Sequence, residues 1–170
     1  TRALSEIAKD SGSSSKIIDS VIKINEKRKI NMVKKIKNTL GSLENKTIAI
    51  LGLTFKPNTD DMRESPSLVI VSALIKEAKQ IKVFDPAGMP IAKNMQEFNG
   101  VKWENNTYEC IANADALVII TEWNEFRALE LDKVKKLLNE PIIIDLRNIY
   151  NPDSMIEMGF KYISVGRGSN

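Results

Sequence analysis

The sequence predicts a parallel α/β sheet covered by helices on both faces and preceded by a long helix. Three observations predict it. From Thr47 onward, short β-branched runs alternate with segments of helical period, the order that builds a parallel sheet. The runs Ala116-Leu117-Val118-Ile119-Ile120 and Ile142-Ile143-Ile144 are apolar without interruption, as in strands buried on both faces. Before Thr47 there is no strand signal, and apolar residues recur at helical spacing.

In chain order, Thr1 to Asp10 is predicted as a short helix with Leu4, Ile7 and Ala8 on one face. Ser11-Gly12-Ser13-Ser14-Ser15 breaks it, and one of these serines is expected to cap the next helix. That helix is predicted from Ser14 to Leu40 on Ile17, Ile18, Val21, Ile22, Ile24, Met32, Val33, Ile36 and Leu40. Its apolar stripe thins at Asn25-Glu26-Lys27-Arg28-Lys29, which suits a connector or dimer arm better than a core helix. The basic run reads as its solvated face. Gly41 and Asn45 are expected to end it. Strands are predicted at Thr47–Leu51, Ile81–Phe84, Val101–Trp103, Ala116–Thr121, Ile142–Leu146 and Tyr162–Val165. Helices are predicted at Ser67–Ala78, Pro90–Phe98, Thr107–Ala112, Leu131–Leu138 and Pro152–Met158. The expected division is a helical segment over 1–45 and an α/β domain over 46–170.

Composition excludes several classes. There is no histidine and one cysteine, Cys110. A His general base, a Ser-His-Asp triad and an internal disulfide framework are therefore impossible within this chain, and a structural zinc site is not expected. The lone cysteine fits a reducing cytoplasm. A net charge of +3, concentrated in Lys23–Lys37, argues against a nucleic-acid binder. No apolar run is long enough to span a bilayer, and the first residues lack the apolar core of a secretion signal.

The chemistry gathers where strands end. In an open parallel sheet, ligands sit beyond the carboxyl ends of the strands. There the first strand leads into Gly52-Leu53-Thr54-Phe55-Lys56, then Asp60, Asp61, Arg63 and Glu64, and Ser65-Pro66 opens a helix. The second strand ends in Asp85-Pro86, the fourth in Thr121-Glu122-Trp123, the fifth in Asp145-Leu146-Arg147. Lys56, Arg63, Glu122, Trp123 and Arg147 are expected to line one crevice. Three cations and an indole suit a phosphorylated, partly planar ligand, with a nucleotide the obvious candidate. Alternatively, Lys56 and Arg63 simply pair with the nearby carboxylates as surface ions. The glycine fingerprint G-x-G-x-x-G is missing after the first strand. Despite the Rossmann-like pattern, NAD is not expected to bind this loop in the usual way.

The element GLTFKPNTDDMRESPS, followed by VFDP, ADALVIITEWNEF and IIDLRNIYNP, resembles the UDP-glucose 6-dehydrogenases within the UDP-glucose/GDP-mannose dehydrogenase family. The match covers nearly the whole chain, and TEW favours the UDP-glucose branch. The resemblance implies a UDP-sugar-binding, Rossmann-like domain behind a central helix that forms a homodimer. It implies that Phe55, Lys56 and Arg147 contact UDP-glucose, that Trp123 and Glu122 shape the same cleft, and that Arg63 reaches the NAD phosphates. It also implies an NAD-dependent double oxidation of UDP-glucose to UDP-glucuronate through a cysteine thiohemiacetal. The family's nucleophilic cysteine lies just ahead of a segment like Thr1-Arg2-Ala3-Leu4, and its NAD loop lies in an amino-terminal domain. Both are expected outside this chain, which should not turn over alone. Cys110 sits in a helical pattern and is expected to be a core residue.

A module that binds nucleotide sugar or dimerises without chemistry, and a dehydrogenase of a related UDP- or GDP-sugar, share these residues. A phospho-acceptor signalling domain with Asp60, Asp61 and Asp85 around Mg²⁺ does not fit, because the acceptor aspartate would have to follow the third strand, not the second. Acetyl phosphate with Mg²⁺ is therefore expected to leave the chain unmodified, as intact-mass spectrometry would show.

Overall fold

A computed structural model describes residues 2–13 and 15–167. Thr1 and Ser14, where the sequence predicts two helices to open, lie outside them. Six strands form one parallel sheet: β1 (Thr47–Leu51), β2 (Gln80–Phe84), β3 (Lys102–Trp103), β4 (Ala116–Ile119), β5 (Ile142–Asp145) and β6 (Lys161–Ser164). Their order across the sheet is β3-β2-β1-β4-β5-β6. The chain thus builds outward from β1 in one direction, returns, and builds outward from β4 in the other. The crevice between the β1 and β4 carboxyl ends is the switch point where such sheets bind ligands. The parallel α/β expectation and the long leading helix are both found.

Side-chain alternation divides the core. Ile48, Ile50, Val83, Val118 and Ile144 point to one face. There they pack with Ile70, Val71 and Leu74 of α3 (Pro66–Ile75) and Val33, Ile36 and Leu40 of α2 (Lys16–Leu40). Ala49, Leu51, Leu117, Ile119 and Ile143 point to the other face. They meet residues of α5 (Thr107–Ile111), α6 (Asn124–Arg127), α7 (Leu131–Leu137) and α8 (Pro152–Glu157). Cys110 lies in this second core, fully covered, and burial pushes its thiol up to about 12. It is the core residue the sequence suggests, protonated and inert.

Two halves of α2 behave differently. Its last turns are buried, and Gly41, at φ 69°, ends it with an N–H to the Lys37 carbonyl. Its first turns expose Ile17, Val21 and Ile24, as α1 (Arg2–Asp10) exposes Leu4 and Ile7. Ser15 stands at the N-cap of α2 but makes no side-chain capping bond.

Two elements differ from expectation. The helix predicted over Pro90–Phe98 is split into α4 (Met89–Ala92) and a 3-10 turn at Gln96–Phe98, joined through an extended Met95. Ala92 and Phe98 are both buried, yet six residues apart on one helix they would point about 120° apart. Breaking the helix lets both reach the core. Helix α6 was not predicted, because four residues carry no periodic signal; Phe126, fully buried, anchors it.

The switch point is tight. Gly52 adopts φ 89°, and a Cβ there would lie 2.6 Å from the Thr121 Cβ and backbone nitrogen. Gly52→Ala combines a disfavoured φ with a backbone clash. It is expected to cost about 2–4 kcal/mol in a urea titration, whereas alanine at Gly41, φ 69° in open space, should cost less.

Candidate functional site

Beyond the carboxyl ends of β1, β4 and β5 lies a cleft of about 850 Å³ roofed by α2. Its floor is Ile120, Leu146 and Ile70. One wall is the β1 loop with Phe55, Asp61, Arg63 and Glu64. Arg147 stands on the β5 side, and α2 contributes Asn25, Glu26, Arg28, Lys29 and Met32. Phe55 is half exposed there. Lys56 is exposed on the same loop but is not part of the cleft lining.

The loop is shaped by its own hydrogen bonds. Asp85, one residue past β2 and 1% exposed, is its anchor. One carboxylate oxygen accepts the N–H groups of Leu53 at 2.6 Å and Thr54 at 3.1 Å, and the indole Nε1–H of Trp123 at 3.3 Å. The other accepts those of Ala87 at 2.9 Å and Gly88 at 2.7 Å. At the far end, the Ser65 and Ser67 hydroxyls both donate to the Leu53 carbonyl, at 2.7 and 2.5 Å. Ser65 also caps α3 by accepting the Ser67 N–H. Phe55 N–H donates to the Asp61 carbonyl at 2.8 Å. Both loop ends are thereby pinned, and Phe55, Asp61, Arg63 and Glu64 between them face the cleft.

These bonds decide the fit of a dinucleotide. In the glycine-rich fingerprint, the backbone after β1 stays free to approach a pyrophosphate. Here the N–H groups of Leu53, Thr54 and Phe55 are all taken within the chain. The space beside Gly52 is filled by Thr121. An acidic residue at the end of β2 would face a ribose in that fingerprint, but Asp85 is spent on backbone donors. The backbone at the start of the β1 loop is therefore not free to take the pyrophosphate of NAD in that manner.

Two of the cleft arginines, Arg63 and Arg147, are held alike. Arg63 gives Nε and Nη2 to the two Asp61 oxygens at 2.9 and 2.8 Å. This fork, with the Arg63 backbone N–H, holds the Asp61 carboxyl down at about 2. Arg147 gives the same edge to Glu122, Nη2 to Oε1 at 2.6 Å. Partial burial opposes ionisation of Glu122, but the Arg147 hydrogen bonds, a backbone N–H and the charges of Arg147 and Arg127 together outweigh it, and the carboxyl lies below its ordinary value. Beneath Arg147, the buried Asp145 accepts the N–H groups of Arg147 at 2.9 Å and Ile149 at 2.7 Å, and the Tyr162 hydroxyl at 2.6 Å. Burial, then that carboxylate, pushes the Tyr162 phenol up.

Of the residues singled out from sequence, Phe55, Arg63 and Arg147 share the cleft. Glu122 lies behind Arg147 as its partner. Trp123 does not face the cleft: it is 9% exposed, packed in the second core, and donates to Asp85. An aromatic before a short helix reads equally as stacking surface or packing, and the core claimed it. Three contributors are not legible in sequence. Asp85 and Asp145 are each an aspartate directly after an apolar strand, a signal that marks a strand end but not its donors. Lys29, deep on α2, pairs with Glu26 at 3.1 Å and with Glu64 of the loop at 3.4 Å, across a separation in sequence that no spacing encodes. Glu64 adopts φ 60°, a left-handed backbone uncommon outside glycine and asparagine.

A family model described as the UDP-glucose/GDP-mannose dehydrogenase family, UDP binding domain, matches residues 49–152. A UDP-glucose 6-dehydrogenase of Rhizobium meliloti (strain 1021) is 44% identical over 168 residues, covering 98% of this chain and 38% of that protein. The UDP-glucose 6-dehydrogenase TuaD of Bacillus subtilis (strain 168) is 40% identical, covering 98% and 36%. Among solved structures, a UDP-glucose dehydrogenase from Pyrobaculum islandicum shares the fold, with a TM-score of 0.75 at 24% identity, covering 96% of this chain and 35% of that one. An NDP-N-acetyl-D-galactosaminuronic acid dehydrogenase from Methanosarcina mazei Go1 gives 0.67 at 30%, covering 84% and 29%. The chain spans less than two fifths of the length of each. No described helix is long and apolar enough to cross a membrane.

The Asp61–Arg63 fork has a defined acid limit. The folded-state value of Asp61 is depressed, so the pairing is complete above the ordinary carboxylate range and lost only as pH falls through about 2. The side-chain carboxyl carbon of Asp61, followed by NMR, is expected to titrate there.

Proposed function

The chain belongs to the UDP-glucose/GDP-mannose dehydrogenase family, as its UDP-binding domain, and from that premise we propose that it holds the UDP end of UDP-glucose for NAD-dependent two-step oxidation to UDP-glucuronate. The observation that carries this reading is the switch-point cleft, which sets Phe55, Arg63 and Arg147 around an apolar floor. Diphosphate oxygens suit the free guanidinium edge of Arg147 and the ammonium of Lys56. The half-exposed Phe55 ring suits a planar base. Trp123 serves the site from beneath. Fixing the nucleotide fixes where the sugar's C6 lies, which is the positioning part of catalysis.

NAD, as hydride acceptor, is assigned mainly to another segment of a longer protein, because the backbone directly after β1 is not free to hold its pyrophosphate. Arg63, on the cleft wall and largely exposed, is the residue of this chain proposed to reach the NAD phosphates. The chain alone is proposed to be inactive and to work in the cytoplasm. It is further proposed to form a homodimer through α2, whose Ile17, Val21 and Ile24 are exposed at 81, 41 and 65%.

Calorimetric titration of the chain with UDP, GDP and NAD tests the reading. UDP is expected to bind, and GDP and NAD to bind far more weakly. Lys56→Ala and Arg147→Ala should each weaken UDP about 10–100-fold and leave the melting temperature nearly unchanged. Equal UDP binding by both variants would overturn it.

A further inference from the structure

We infer that Trp123 and Glu122 are positioning residues for Arg147, and that through Asp85 they tie its aim to the β1 loop. The inference deepens the reading above and rests on it for the ligand's identity.

The path is continuous. One oxygen of Asp85 accepts the N–H groups of Leu53 and Thr54, which open the loop that carries Phe55 and Lys56. The same oxygen accepts the Trp123 indole N–H at 3.3 Å. Trp123 is buried at the N-cap of α6, so ring packing and the indole bond fix the backbone there. Glu122 is the preceding residue, and its carboxylate holds Arg147 by Nε and Nη2.

A guanidinium gripped along its Nε–Nη2 edge keeps the Nη1 edge for a ligand. Asp61 grips Arg63 along the same edge. The two pairs differ in what they fix. Asp61 and Arg63 lie two residues apart in one loop, so that pair moves as a unit, and Arg63 is 88% exposed. Glu122 and Arg147 come from the ends of β4 and β5, and both are partly covered, at 23 and 39% exposure. Their fork therefore sets one strand end against another. Because Trp123 links Glu122 to Asp85, Arg147 is aimed relative to Phe55 on the β1-loop wall and to the loop that also carries Lys56. A flexible arginine so held loses less freedom when a diphosphate arrives.

The test uses the 170-residue chain with E122Q, W123F, R147A and the E122Q/R147A double variant. In the ligand-free chain, the ¹⁵N Nε–H resonance of Arg147 is identified by its loss in R147A. It is expected to be sharp and slowly exchanging in the original protein, lost to exchange in E122Q and broadened in W123F. Calorimetry with UDP should show E122Q about fivefold weaker and R147A about tenfold weaker, and the double variant no weaker than R147A alone. An unchanged resonance in W123F would remove Trp123 from the path. Multiplying losses in the double variant, or tighter UDP binding by E122Q, would overturn the role of Glu122, tighter binding making it the ligand's competitor. E122Q alters a part-exposed pair and so tests the path whatever W123F does to folding. If the original chain takes no UDP, the ligand assignment fails, while the resonance still decides the path.

Discussion

The buried carboxylate of Asp85 is the contact on which the rest of the site depends. It collects donors from three places that are distant in sequence: the start of the β1 loop, the turn after β2 and the segment after β4. Burying a carboxylate is costly unless it is thoroughly hydrogen-bonded, and five N–H donors meet that condition here. Those donors are bound to a fixed point, so three strand ends keep one mutual arrangement. Asp145 does the same at the end of β5 for the turn that carries Arg147.

This arrangement explains why a sheet of dinucleotide-binding topology lacks the glycine-rich turn. The backbone N–H groups that would face a pyrophosphate are turned inward to Asp85, so the phosphate-binding capacity of the edge passes to side chains. Side chains are mobile, and the structure answers with carboxylates. Asp61 and Glu122 each hold an arginine by one edge. Lys29 is set between Glu26 and Glu64 in the same way. The cleft therefore presents cations whose positions are set before a ligand arrives.

The roof of the cleft belongs to α2, and that helix has two characters. Its carboxyl-terminal half shares the core through Val33, Ile36 and Leu40, while its amino-terminal half leaves isoleucines uncovered. The polar waist between them is where the cleft lies, because Asn25, Glu26 and Lys29 face it. The interruption in the apolar stripe is thus a lining and not only a solvated surface.

The sequence by itself determined the parallel sheet, since four uninterrupted or β-branched runs can be satisfied only by burial on both faces, and the runs at β1, β2, β4 and β5 stand where they were expected. It also determined which strand ends carry charge, and so gathered Lys56, Arg63, Glu122, Trp123 and Arg147 at one edge, of which Arg63 and Arg147 line the cleft. Tertiary structure decided what each residue does there. Trp123 turned inward because Asp85 offered a buried acceptor within reach of its N–H. The Pro90–Phe98 helix broke because Ala92 and Phe98 both had to enter the core. Glu122 found Arg147, and Lys29 found Glu64, across separations that local spacing does not encode. Periodicity reports which face a residue prefers to bury; the partner that meets it is chosen by how the elements pack.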